Sequence, residues 1–224
     1  EFRRVLFRSS VSSTNGGNVV ISGTPAVTLV VQGGSTLTSP VHNVHIGATD
    51  GSVVVSVMDA ATKLTQTGTG VATKANFISD STTGTTTILV DAATLTSAGS
   101  NIIFTADVTG ATAVTAQASA VVTAPGHNAL FKQAASSVTF VLSGSSFTAA
   151  NNNNFGFVGA ASTVGLTITA SSTVQADGSS SASFGSTVQD LTVKVDTSTI
   201  SAVGSALTVA GAVTGTNVVS ATSS

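Results

Sequence analysis

Residues 87–116, TILVDAATLTSAGSNIIFTADVTGATAVTA, recur without a gap at residues 192–221, TVKVDTSTISAVGSALTVAGAVTGTNVVSA. The offset is 105 residues, and eleven of the thirty positions are identical. Val90, Asp91, Thr94 and Gly99 return as Val195, Asp196, Thr199 and Gly204, and Val108-Thr109-Gly110 returns as Val213-Thr214-Gly215. Upstream, Val27–Gly33 (VTLVVQG) corresponds to Val138–Gly144 (VTFVLSG), and Ser52–Val57 (SVVVSV) to Thr163–Ile168 (TVGLTI), at an offset of 111. An internal repeat of this length is read as one domain copied, since solenoid repeats run to a few tens of residues. The drift between offsets predicts small loop insertions in the first copy.

Within each copy the hydropathy alternates with period 2. Leu191, Val193 and Val195 would face a core, with Thr192 and Lys194 facing water. Leu207, Val209 and Val213 repeat the pattern, as do Ile88 with Val90 and Ile102, Phe104 with Val108. About seven short strands are predicted per copy. In the second they fall near 138–143, 154–158, 164–169, 181–185, 190–195, 206–213 and 217–221. Strands with one apolar and one polar face suit antiparallel sheets. VDAATLTSAG and VDTSTISAVG read as tight crossovers between sheets, opened by an Asp and closed by a Gly, with Leu95 and Ile200 plugging the core side. Phe77, Phe104, Phe131, Phe140, Phe147, Phe155, Phe157 and Phe184 are the expected large core residues. Asn151–Asn154 reads as a hairpin tip, or alternatively as an exposed binding loop.

The fold expected is therefore all-β: two tandem immunoglobulin-like antiparallel β-sandwiches, over 25–124 and 125–224. Pro25 and Pro125 open the copies. Residues 10–24 read as a linker or the tail of a preceding repeat. Residues 1–9, EFRRVLFRS, hold the single Glu and all three Arg of the chain. They resemble the in-frame translation of a common sequencing-library adapter and are set aside as a non-native scar.

Val138–Val141 followed by Gly144-Ser145-Ser146-Phe147, then Phe155-Gly156-Phe157, then Val195–Ile200 and Gly204, resembles the IPT/TIG group of bacterial immunoglobulin-like repeats. The first copy departs from the pattern, with Leu37 in place of the Phe. Asp91 and Asp196 stand where the group often has Pro. The resemblance implies a surface or extracellular setting and a spacer or binding role, and it carries no catalytic residues.

Composition narrows function further. After residue 9 four lysines face eight aspartates, a net charge of −4. That balance lacks the basic patch a nucleic-acid partner requires. The chain has no Cys, Trp or Tyr, which removes thiolate metal sites, disulfides and the usual platforms for sugars. No apolar run is long enough for a transmembrane helix. Ser and Thr make up 70 of 224 residues, yet no Ser stands in a recognisable nucleophile motif. His42 and His45, three apart on a strand, would face opposite sides. His127 would lie at the hinge between domains. Calcium is the one metal considered, through Asp50, Asp91, Asp107, Asp177, Asp190 and Asp196 near turns. Asp91 and Asp196 are its weak candidates and read better as turn caps.

The expected role is that of a non-catalytic stalk, adhesin or surface-layer segment of a larger extracellular or cell-surface protein. Its expected partners are neighbouring repeats of the same chain and a cell-surface or matrix ligand. A virion fibre or decoration module and an accessory module of a secreted enzyme are the alternatives. A parallel β-helix is a further alternative, but it predicts coils of about 20 residues, which the 105-residue match does not show.

Overall fold

The computed structural model describes residues 2–22, 26–47, 51–80 and 82–222, with side chains from residue 8 onward. The chain winds as a parallel β-solenoid whose walls are three sheets. One coil shows the plan: Val108–Gln117 lies in sheet A, Val121–Ala124 in sheet B and Ala129–Phe131 in sheet C, and Ala135–Ser143 returns to sheet A. Sheet A has nine strands, and sheets B and C have eight each among the described residues.

Every strand lies beside its counterpart in the next coil, and the pairing is parallel throughout: Val121 is opposite Ser146 in sheet B, Ala129 opposite Phe155 in sheet C. This overturns the two antiparallel immunoglobulin-like sandwiches. The sheets also run without a break past Pro125, from Val121–Ala124 to Ser146–Ala149. Pro25 lies outside the described residues. The backbone of Phe2–Phe7 pairs in parallel with Ala26–Val31 as the first strand of sheet A.

The repeat offset has a different meaning in this fold. Partners in sheet A lie 26 residues apart at most steps: Val27 is opposite Val53, Thr112 opposite Val138, and Val138 opposite Val164. Thr86, Thr112, Val138, Val164 and Leu191 are successive partners, so an offset of 105 spans four coils. The 111-residue offset from Val27 to Val138 is also four coils. It includes the longer step from Val53 to Thr86, where residues 67–74 form an extended loop between Lys63–Gln66 and Ala75–Ser79.

Period-2 alternation survives in sheets A and B because those walls have one face inside and one in water, whereas Ile103 and Leu130 in sheet C are buried in a second, smaller cluster with Ala75. Val138, Phe140 and Leu142 are buried, whereas Thr139 faces out. A single coil cannot bury its own apolar face, and stacking supplies the missing side. The corner from sheet A to sheet B needs left-handed backbone. It is built by Gly33 and Gly34, Asp59, Ala92, Ala118 and Ser119, Gly144, Ala170 and Ser171, and Thr197, all at positive φ in successive coils. The segments read as crossovers therefore contain a turn followed by a true strand, Thr94–Ser97 or Thr199–Ala202. Leu95 on the first is fully buried, and Ile200 packs against the core from a partly buried position.

The interior is ordered by two columns. All eight phenylalanines expected in the core are buried. Phe104, Phe131, Phe157 and Phe184 stack in sheet C, with ring centroids 4.4, 4.8 and 4.9 Å apart. At the corner from sheet B to sheet C runs a ladder of Asn18, Asn43, Asn76, Asn101, Asn128 and Asn154. Each Nδ2 donates to the Oδ1 of the next rung at 2.6–2.7 Å.

Candidate functional site

Several acidic side chains hold neighbouring coils together. Asp59 Oδ2 accepts from the backbone N–H of Gly33 at 2.6 Å, Asp107 Oδ1 from that of Ala134 at 3.1 Å, and Asp190 Oδ1 from that of Thr216 at 2.7 Å. Each bond joins neighbouring coils. Asp196 Oδ1 accepts from Thr222 Oγ1 at 2.9 Å, and Asp177 Oδ1 from Gln175 Nε2 at 2.6 Å. Asp91 and Asp196, the weak calcium candidates, end sheet A strands and lead into the left-handed residues Ala92 and Thr197. Four coils separate them, roughly 19 Å at the usual strand spacing, so one ion cannot bridge the two. Asp50 lies outside the described residues. Among the described residues no group of three His, Cys, Asp or Glu side chains is placed to hold a metal.

The histidines sit on outer corners. His42 and His45 do not face opposite sides: their rings meet edge to face with centroids 5.0 Å apart. The reason lies between them, where both Asn43 and Val44 turn inward at the corner and break the alternation. His45 Nε2 lies 2.8 Å from Asp80 Oδ2, and Thr105 Oγ1 donates to Asp80 Oδ1 at 3.2 Å. Burial, and then the neighbouring charge of His45, holds the His42 imidazole below the ordinary histidine range against the smaller opposing pull of Asp80. His127 occupies the corner before Ala129–Phe131 rather than a hinge between domains. Burial lowers its pKa too, and a hydrogen bond to the Asn153 carbonyl (3.2 Å) partly offsets this.

Of the four-Asn run, Asn154 is fully buried as a ladder rung and is neither hairpin tip nor binding loop. Its Nδ2 also donates to the Gln175 carbonyl at 2.7 Å. Signs of the ladder were present as Asn followed by apolar residues one and three places on: Asn18-Val19-x-Ile21, Asn101-Ile102-x-Phe104, Asn128-Ala129-x-Phe131, Asn154-Phe155-x-Phe157.

Two hollows stand out. A shallow groove of about 420 Å³ follows the corner from sheet A to sheet B, past Ser119, Gly144, Ser145 and Ser171. An apolar hollow of about 280 Å³ lies near the last coils, between Leu166, Val193, Ile200, Leu207 and Val219. Neither brings together an acid, a base and a nucleophile. No family model matches the chain, and no curated protein and no solved structure matches it either.

The most regular surface is the outer face of sheet B. Its strands are short, in register and free of bulges. Thr38, Thr65, Thr96, Thr123 and Thr148 are successive partners and form one outward row. The row beside it runs Thr36, Lys63, Thr94, Val121, Ser146, Thr173 and Thr199, so its hydroxyls are interrupted by Lys63 and Val121. Lys63 is the only charged residue in the described sheet B strands. The outer face of sheet A is less uniform, carrying Met58, Leu89, Asp91, Lys194 and Asp196. Sequence reasoning missed the sheet B array. Its signal was the Thr-x-Thr spacing of Thr36-Leu37-Thr38 and Thr94-Leu95-Thr96 two coils later.

Proposed function

We propose that this chain is a non-catalytic structural and adhesive segment of a larger extracellular or cell-surface protein. One observation carries the reading: among the described aspartates that sequence reasoning offered for chemistry, Asp107, Asp190 and Asp196 are spent on hydrogen bonds between coils, and Asp91 stands four coils from Asp196. What remains for function is a stack of coils whose sheet B wall is faced by small, mostly polar side chains. Such a stack lengthens by about 4.8 Å per added coil, so reach is set by coil number. An extracellular or cell-surface setting is part of the proposal, as are a surface or matrix ligand and neighbouring repeats as partners.

The test places the full chain between a surface anchor and a small epitope on a displaying cell, beside assays of the purified chain on polysaccharide, ester and peptide substrates. The reading expects an epitope that stays accessible to antibody after protease treatment, and no product release. Turnover of any of these substrates, or proteolytic loss of the epitope as fast as from an unfolded linker, overturns it.

A further inference from the structure

Sheet B presents one unbroken Thr row, Thr38 to Thr148, beside a mixed row of Thr36, Lys63, Thr94, Val121, Ser146, Thr173 and Thr199. Neighbouring strands are about 4.8 Å apart, and alternate residues along a strand about 6.7 Å apart. The row from Thr38 to Thr148 holds its register through five coils, so the spacing is set by backbone hydrogen bonds rather than by mobile side chains. Threonine is stiff at χ1, which keeps each hydroxyl and methyl in a repeating orientation. Hexagonal ice presents water oxygens in rows whose two repeats are close to this pair of spacings.

We infer that the outer face of sheet B is a plane that binds the surface of ice. The chemistry of the face points to a neutral, periodic partner. Lys63 alone cannot recognise a polyanion, and no carboxylate on the sheet B strands recognises a polycation. Phe147, the aromatic residue of these strands, points into the core, so there is no platform for stacking a sugar ring. The aromatic and Arg anchors that carry protein interfaces are missing from these strands as well. A threonine hydroxyl both donates and accepts, so it can replace a lattice water, while its methyl group orders the water beside it. Each contact is weak. The array works because all of them are preorganised and engage together, with little conformational entropy left to lose. The inference does not depend on the chain being a stalk.

The experiment measures ice shaping, thermal hysteresis and partition into a slowly growing ice front for the purified full chain. Thr96→Lys with Thr123→Lys disrupts the centre of the row. Thr115→Lys with Thr167→Lys makes the same change on the outer face of sheet A. Thr96→Ala with Thr123→Ala serves where the lysine pair fails to fold, judged by circular dichroism and melting. The expected result is ice shaping and enrichment in the ice fraction for the natural chain. Both effects fall about tenfold or more in the sheet B variants, a loss equivalent to about 1.4 kcal/mol of binding, and are retained in the sheet A variant. The inference is overturned if the natural chain is excluded from ice without hysteresis, if folded sheet B variants keep the activity, or if the sheet A variant loses it equally. Co-sedimentation with crystalline cellulose or chitin that the sheet B variants abolish, without ice binding, assigns the face to a polysaccharide and overturns it too.

Discussion

At the scale of single residues the asparagine ladder is costly to disturb, because its amides are bonded to one another out of reach of water. Asn101 Nδ2 donates to the Thr123 carbonyl at 2.9 Å and to Asn128 Oδ1 at 2.7 Å, while its Oδ1 accepts from Asn76 Nδ2 at 2.7 Å. Replacing it by Ala strands polar atoms on both neighbours where water cannot reach. We expect Asn101→Ala to lose about 2–4 kcal/mol in urea unfolding. Asn18 is the first rung, and its Oδ1 is already buried without a partner among the described residues. Asn18→Ala should therefore cost clearly less, and equal losses would refute a cooperative ladder. His42 and His127 give a pH dependence of known sign. Their folded pKa values lie below the unfolded imidazole value near 6.5, so below that pH the unfolded chain binds more protons. The stability they contribute is complete above about pH 6.5 and is lost as the pH falls toward their folded values. Melting midpoints at pH 7.5 and pH 5 should show this drop, with His45 and Asp80 still facing position 42. Replacing both His42 and His127 by Gln should flatten it. Calcium should leave the midpoint unmoved, because Asp91 and Asp196 share no ion; a rise growing with calcium concentration, as native-state binding requires, would contradict this.

At the scale of elements, the phenylalanine column shows how one strand depends on the next. Phe131 stacks between Phe104 and Phe157. Phe131→Ala should lose about 3–5 kcal/mol through lost contacts and the cavity left behind. Phe131→Leu should lose distinctly less, with the mid-stack coils losing hydrogen-exchange protection first in both variants. In the second half of the chain the sheet A strands were legible in the sequence, whereas the strand expected at 206–213 is only Leu207–Val209. Those expected at 138–143, 164–169, 190–195 and 217–221 match Ala135–Ser143, Ala161–Thr169, Val188–Asp196 and Asn217–Thr222 closely. Their partners were not legible, because one wet face and one dry face occur equally in an antiparallel sandwich and in a solenoid wall. Sheet B was hidden for a second reason. Thr94–Ser97 and Thr199–Ala202 have four residues each and follow a left-handed turn, so local chemistry announces the turn and conceals the strand. The Thr array was hidden with it, since a row of surface threonines acquires meaning only once parallel register brings them side by side.

At the scale of the whole molecule, the fold is a one-dimensional stack, and coil count should be adjustable only in whole units. Deleting residues 112–137 removes one coil and places Val138 where Thr112 stood, opposite Thr86. Asn154 then follows Asn101 in the ladder and Phe157 follows Phe104 in the stack, because each is the next partner in its own column. The asparagine and phenylalanine columns and the sheet B threonine row, where Thr148 comes to follow Thr96, thus close again with a residue of the same kind. We expect this variant to fold, melt cooperatively and keep the β circular dichroism of the parent, at somewhat lower stability from the lost interface. Deleting half a coil, residues 112–124, puts a sheet A strand beside a sheet B corner and turns buried positions toward water. That variant should unfold or aggregate. A pair of sandwiches would respond the other way, since both deletions would cut through the core of the first domain and its boundary. Equal collapse of the two variants would therefore count against the stacked-coil account of stability. Survival of the whole-coil deletion alone would show that the 105-residue repeat is four turns of one continuous winding.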